Sequence, residues 1–174
     1  MSKARFSLVP YYTFPGITDL TTDFLINHDI KFLILDLDNT IAAYDEHGFS
    51  SDILNWINEM MNSDIKLFII SNSSRINRVK AFSESIDVKY ITKAQKPSPK
   101  NILHAMEING FNSAVTAFAG DQIFTDTLAA NRAGIISILV RPKRFTNPFL
   151  ALRYYIEIPF RLMCKNKIKG RKYE

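Results

Sequence analysis

Residues 31–45, KFLILDLDNTIAAYD, carry four β-prone apolar side chains, Phe32–Leu35, straight into two aspartates, Asp36 and Asp38. A run this short and this apolar belongs in the buried middle of a sheet. Acids are stable at its end only if that end opens onto a crevice. Four more runs of the same kind follow, at Leu67–Ile70, Val88–Ile91, Val115–Ala119 and Ile135–Val140. Between them lie segments with helical spacing. Asp52–Asn62 sets Ile53, Ile57, Met60 and Met61 along one side with Asp52 able to cap, and Ser73–Ser85 and Ser98–Asn109 read the same way. Each crossover is about one helix long. The pattern predicts an α/β fold: a doubly wound, Rossmann-like parallel sheet with helices on both faces and right-handed connections.

At 174 residues, 47% hydrophobic and 22% charged, the chain is sized for one core. The expectation is a single domain over residues 1–174, with an N-terminal segment to residue 30, a catalytic core over 31–146 and a basic tail over 147–174. In the start, MSKARFSLVP, only Phe6 to Val9 stand between the basic residues and Pro10, far short of a signal peptide's apolar region, and no long apolar run follows, so a cytoplasmic protein is expected. Cys164 is the only cysteine, which excludes an internal disulfide and a thiolate zinc cluster.

In open α/β sheets ligands bind beyond the carboxyl ends of the strands. Asp36 and Asp38 end the first core run, Gly120-Asp121 ends the fourth, and Asp126 follows five residues later. Two carboxylates about 4 Å apart repel by about 4 kcal/mol at an effective dielectric near 20, so the cluster must bind a cation or hold a proton. An all-oxygen donor set favours Mg²⁺. The second run ends in Ser71-Asn72, a hydroxyl and an amide beside the amino terminus of the next helix, and Lys96-Pro97 follows the third. Acids, metal, hydroxyl and lysine together describe phosphoryl transfer. A calcium loop starting at Asp36 fails, because Ile41 stands where glycine is needed and His47 where glutamate is needed. Taken singly, Asp121 and Ser71 read equally well as caps and Lys96 as a surface charge; their order along successive strand ends points to a site.

The order Asp36-Leu37-Asp38-Asn39-Thr40, Ser71, Lys96, Gly120-Asp121-Gln122 and Asp126 resembles the four motifs of the haloacid dehalogenase (HAD) phosphatases. More narrowly, DLDNT, SNSS, QKPSPKNI, GDQIFTDTLAANRAG, ILVRP and the segment around Pro10 resemble the YqeG-type branch of subclass IIIA, related to phosphatidylglycerophosphate phosphatases. The resemblance implies a HAD-like fold and an aspartyl-phosphate mechanism, with Asp36 the nucleophile and Asp38 the acid and base. Ser71 and Lys96 would hold the phosphoryl group, and Thr40 and Asn72 would line the pocket. Mg²⁺ would be bound by Asp36, the Asp38 backbone carbonyl and Asp121, with Asp126 in support. The stretches from Asp38 to Ser71 and from Ser71 to Lys96 leave no room for a cap domain. Capless members tend to act on large substrates, which favours a lipid phosphate such as phosphatidylglycerophosphate over a soluble sugar or nucleotide phosphate. A non-catalytic RNA- or ribosome-binding module is the reading of another class.

Charge is uneven along the chain: residues 141–174 hold 10 Lys and Arg against 2 acids, out of 22 and 17 overall. Asn147–Lys165 reads as a helix with Asn147 as cap and Pro148 first. Arg153, Glu157 and Arg161 form one charged stripe, Phe149, Leu152, Tyr155, Ile156, Phe160 and Met163 occupy the other faces, and Lys165, Lys167, Lys169, Arg171 and Lys172 follow. Two placements are open. The apolar face lies in an anionic membrane interface, making the protein peripheral, or it packs on the domain and leaves the basic end free. Membrane contact is the expectation; nucleic acid fits less well, because the aromatics form no stacking surface.

Overall fold

The computed structural model describes residues 6–145, 148–164 and 166–168. Its strands are β1 (Tyr12–Thr13), β2 (Phe32–Leu35), β3 (Lys66–Ile70), β4 (Tyr90–Ile91), β5 (Thr116–Gly120) and β6 (Ile136–Leu139). They form one sheet in the order β1-β6-β5-β2-β3-β4, every pair parallel. The helices are α1 (Thr22–Asn27), α2 (Ser51–Asn62), α3 (Ile76–Glu84), α4 (Lys100–Asn109), α5 (Leu128–Ala133) and α6 (Pro148–Met163). This is the predicted α/β architecture.

Strand β2 explains the two-sided arrangement. Leu33 and Leu35 point into a core with Leu25 of α1, Trp56 and Met60 of α2, and Val79 and Phe82 of α3. Phe32 and Ile34 point the opposite way, onto Ile102 and Met106 of α4 and Ala129 and Ala130 of α5. Because both faces are covered, the strand is apolar at every position. The chain leaves β2 toward β3 and β4 on one side and returns to β5 and β6 on the other, so strand order reverses beside β2. That reversal opens a crevice at the carboxyl ends of β2 and β5. No further element stands between β2 and α2, and only α3 stands between β3 and β4.

Several boundaries differ from the sequence reading, each for a local reason. Val88 donates its N–H to Ser83 O at 3.0 Å, closing α3, so β4 is confined to Tyr90–Ile91 rather than starting at Val88. Helix α3 begins at Ile76, not Ser73, because serine hydroxyls take the backbone donors of the preceding loop: Ser71 Oγ accepts from Ser73 N at 3.0 Å and Ser73 Oγ from Arg75 N at 3.3 Å. Ser71 is therefore followed by a loop and not directly by a helix terminus. Met61 lies on the solvent side of α2, while Met60 is fully buried. The N-terminal segment is part of the sheet: β1 pairs with β6, and its free edge exchanges Thr13 N to Asn166 O at 3.1 Å and Ile168 N to Thr13 O at 2.9 Å.

Candidate active site

Strand register brings the acids together. Leu35 of β2 lies opposite Ala119 of β5, and Asp36 N donates to Ala119 O at 2.9 Å, so Asp36 and Asp121 leave neighbouring strands side by side. After Asp36 the chain turns sharply: the N–H groups of Thr40, Ile41 and Ala42 converge on Leu37 O, and Asn39 adopts φ 65, a left-handed conformation that asparagine tolerates. Leu37 is fully buried beneath this turn. Asp126 arrives by a wide π-helical turn, Ile123–Thr127, that precedes α5. Its carboxylate then caps Gln122 N at 3.1 Å and lies against Gly120, where a Cβ would fall 2.6 Å from the Asp126 Cβ. Only glycine at 120 leaves Asp126 this position.

Asp36, Asp121 and Asp126 each offer a carboxylate oxygen within 4.8 Å of the others, and all three are buried. Lys96, which precedes a cis peptide to Pro97, reaches among them: Nζ lies 2.6 Å from Asp36 Oδ1, 2.7 Å from Asp126 Oδ1 and 3.1 Å from Ile70 O. Thr40 Oγ1 stands 3.4 Å from both Asp36 Oδ2 and Asp121 Oδ1, able to donate to one at a time. Burial raises Asp36 to about 7, with the Lys96 ammonium opposing and Asp126 adding to the shift. Asp121 is raised for the same reason, by burial and then by Asp126 and Asp36. Burial alone would push Lys96 toward its neutral form, but Asp126 and Asp36 outweigh it and hold the ammonium charged. When all three are ionised, the carboxylates against one ammonium leave two negative charges to neutralise, which suits a divalent cation held by hard oxygen donors.

Asp38 turns away from this cluster. Its carboxylate pairs with Nη1 of Arg78, whose Nη2 donates to Ala43 O at 2.6 Å. Ser71 is buried at the end of β3. Asn72 faces the Lys96 peptide, donating from Nδ2 to Lys96 O at 3.0 Å and accepting from Lys96 N at 2.8 Å, so the loops after β3 and β4 are tied together. Asp36, Asp38, Ser71, Asn72 and Lys96 line a cavity of about 360 Å³, together with Tyr44, Arg75 and Arg153. Burial and then the nearby carboxylates raise the Tyr44 phenol to about 12, keeping it protonated.

Two groups of residues here escape sequence reasoning. Arg75 and Arg78 sit at the start of α3, where a positive charge opposes the helix dipole; that unfavourable placement is the signal that they serve the crevice. The second group lies on α6. Glu157 is buried, accepts Ile123 N at 2.9 Å and Phe124 N at 3.3 Å, and pairs with Arg161 at 3.0 Å. Arg161 also donates to Asp121 O at 2.5 Å. Burial raises the Glu157 pKa against the pull of Arg161. The charged stripe of α6 thus grips the turn carrying Asp121 and Asp126. The Asn147 cap, Lys165, Lys169, Arg171 and Lys172 lie outside the described residues.

Among solved structures, the cobalt-bound deoxy-D-mannose-octulosonate 8-phosphate phosphatase of Haemophilus influenzae is 19% identical, with TM-score 0.51 over 65% of this chain and 69% of that one. Hypothetical protein XCC2798 of Xanthomonas campestris is 14% identical, with TM-score 0.54 over 88% and 80%. These likenesses establish the fold. In sequence, the probable phosphatase YqeG of Bacillus subtilis (strain 168) is 33% identical over 155 residues, 89% of each chain. The model of the mitochondrial PGP phosphatase family matches residues 1–143. With acids, lysine and serine set at the strand ends of this sheet, the chain belongs to the mitochondrial PGP phosphatase family and is a HAD phosphatase of the YqeG type, a phosphoric monoester hydrolase.

Proposed function

We propose that the protein is a Mg²⁺-dependent phosphatase that works through an aspartyl phosphate on Asp36, with a lipid phosphate of the phosphatidylglycerophosphate kind as substrate. The observation that carries this reading is the contact of Lys96 Nζ with Asp36, 2.6 Å, inside a buried triad of carboxylates at adjacent strand ends. Asp36, Asp121 and Asp126, with the Asp38 backbone carbonyl, would hold the cation. When bound, it neutralises the carboxylates and draws charge from the phosphoryl oxygens.

Asp36 then attacks phosphorus: the Asp36 Oδ–P bond forms as the ester P–O bond breaks. Asp38 supplies the proton to the departing alkoxide and afterwards takes one from water. That water attacks phosphorus, breaks the aspartyl bond and releases inorganic phosphate. Lys96 and the Ser71 hydroxyl offset charge on the phosphoryl oxygens, and Arg78 sets the direction of the Asp38 carboxylate. The open rim, with nothing inserted between β2 and α2, supports a substrate too large to be enclosed.

Purified protein is assayed for phosphate release from phosphatidylglycerophosphate in mixed micelles and from soluble sugar and nucleotide phosphates. Mg²⁺-dependent release from the lipid, lost on chelation and in Asp36→Asn, is expected. Turnover retained by Asp36→Asn excludes the covalent mechanism; preference for the soluble esters excludes the lipid substrate.

A further inference from the structure

Helix α6 is inside out. Its charged stripe, Arg153, Glu157 and Arg161, faces the domain, and Glu157 is buried. The opposite face is exposed and carries apolar residues only: Phe149 is 70% exposed, Tyr155 66% and Leu162 67%, with Leu152, Ile156 and Met163 each above half. These positions recur at helical spacing over 16 residues, about 24 Å of helix. A soluble domain ordinarily turns such a face inward. Here the inward position is held by hydrogen bonds to the Asp121–Phe124 backbone, so the apolar face cannot rotate in without breaking them.

We infer that this outward face of α6 is a docking surface for an anionic lipid bilayer, on which the helix lies parallel to the membrane plane with the catalytic rim beside it. No helix among the described residues is long and apolar enough to cross a membrane. A helix of this character instead beds its apolar side at the headgroup boundary. Charge selects the occupant. Exposed Arg141 precedes the helix and Lys167 follows it, while Arg144 pairs with Asp45 at 3.2 Å, all within a stretch of 10 Lys and Arg against 2 acids. Anionic headgroups complement that excess, whereas a second copy of this face would meet it with like charge. Arg153 joins the two surfaces: it lines the catalytic cavity and stacks 5.9 Å from the Phe149 ring. The inference rests on the lipid-phosphate reading for its purpose, and on α6 alone for its geometry.

The test uses the full chain with phosphatidylcholine vesicles and with phosphatidylcholine–phosphatidylglycerol vesicles. The wild type pellets with the mixed vesicles, and less so at high salt. Leu152→Glu/Ile156→Glu reduces the bound fraction by at least about ten-fold. Both proteins hydrolyse p-nitrophenyl phosphate at equal rates, which shows the variant folded. Wild-type protein that stays in the supernatant overturns the inference, as does a double variant that pellets like the wild type. A dimer in light scattering that dissociates in the double variant, without vesicle binding, also overturns it and assigns the face to a second copy. Vesicle binding without phosphatidylglycerophosphate hydrolysis upholds the surface and removes the substrate; hydrolysis in micelles without vesicle binding does the reverse.

Discussion

The carboxylate of Glu157 accepts the backbone N–H of Ile123 at 2.9 Å. A helix far along the chain thereby fixes the turn between Asp121 and Asp126. Glu157→Ala removes the acceptor of the buried Ile123 N–H and of the half-buried Phe124 N–H, and leaves Arg161 with carbonyl partners alone, at a cost of about 3 kcal/mol. Thermal unfolding measures the loss. A Mg²⁺ titration of phosphate release shows weaker apparent affinity in the same variant, because both acids that flank the turn lose their register. Glu157→Gln, which keeps one acceptor oxygen, lies between the variant and the wild type.

Gly120 is a packing requirement of the acid cluster. Adding one methyl places a Cβ 2.6 Å from the Asp126 Cβ, so Gly120→Ala must expel Asp126 or shift β5. The expected cost is about 2 kcal/mol in unfolding, together with loss of Mg²⁺-dependent turnover. A variant that matches the wild type in both would show that Asp126 moves freely.

The metal-free protein should lose stability as pH rises. Burial raises Asp36 to about 7 and moves Asp121 in the same direction, so both hold protons more tightly folded than unfolded. The Asp36 contribution is complete below the unfolded carboxylate range and is lost as pH rises through about 7, and that of Asp121 is lost in the same direction. Between about pH 5 and pH 8 the loss is on the order of a few kcal/mol. Chelated protein shows the decline in its melting temperature; added Mg²⁺ flattens it, since the cation takes the place of the proton. A flat profile in chelator contradicts the strained cluster.

On the proposed mechanism Arg78 acts through Asp38, with which it pairs, and substrate choice tests it. Arg78→Ala frees the Asp38 carboxylate and lowers turnover of an alkyl phosphate by about ten-fold or more, because an alkoxide needs its proton as it leaves. An aryl phosphate with an acidic leaving group depends less on that proton at the first step. Equal losses on both esters would mean Arg78 binds phosphate instead.

Sequence made Asp36, Asp38, Ser71, Lys96 and Asp121 legible because each follows an apolar run, and a parallel sheet aligns such ends whatever the loops do. Asp126 was legible by spacing alone, while the π turn that carries it was not. Strand β1 is two residues long, too short for alternation to register, and is defined by its partner β6. Helix α6 is legible as an element, yet hydropathy offers no means of telling that its charged stripe faces inward. That orientation is set by the N–H groups of Ile123 and Phe124, which find their acceptor in Glu157 only once the chain is folded.

The Asn72 side chain engages both the N–H and the carbonyl of Lys96. With that amide committed to the backbone, the loops after β3 and β4 are held as one piece. On the proposed phosphatase reading, the choice among esters is left to the other lining side chains, Tyr44, Arg75 and Arg153, whose exchange among relatives would alter what is dephosphorylated while the reacting centre stays untouched.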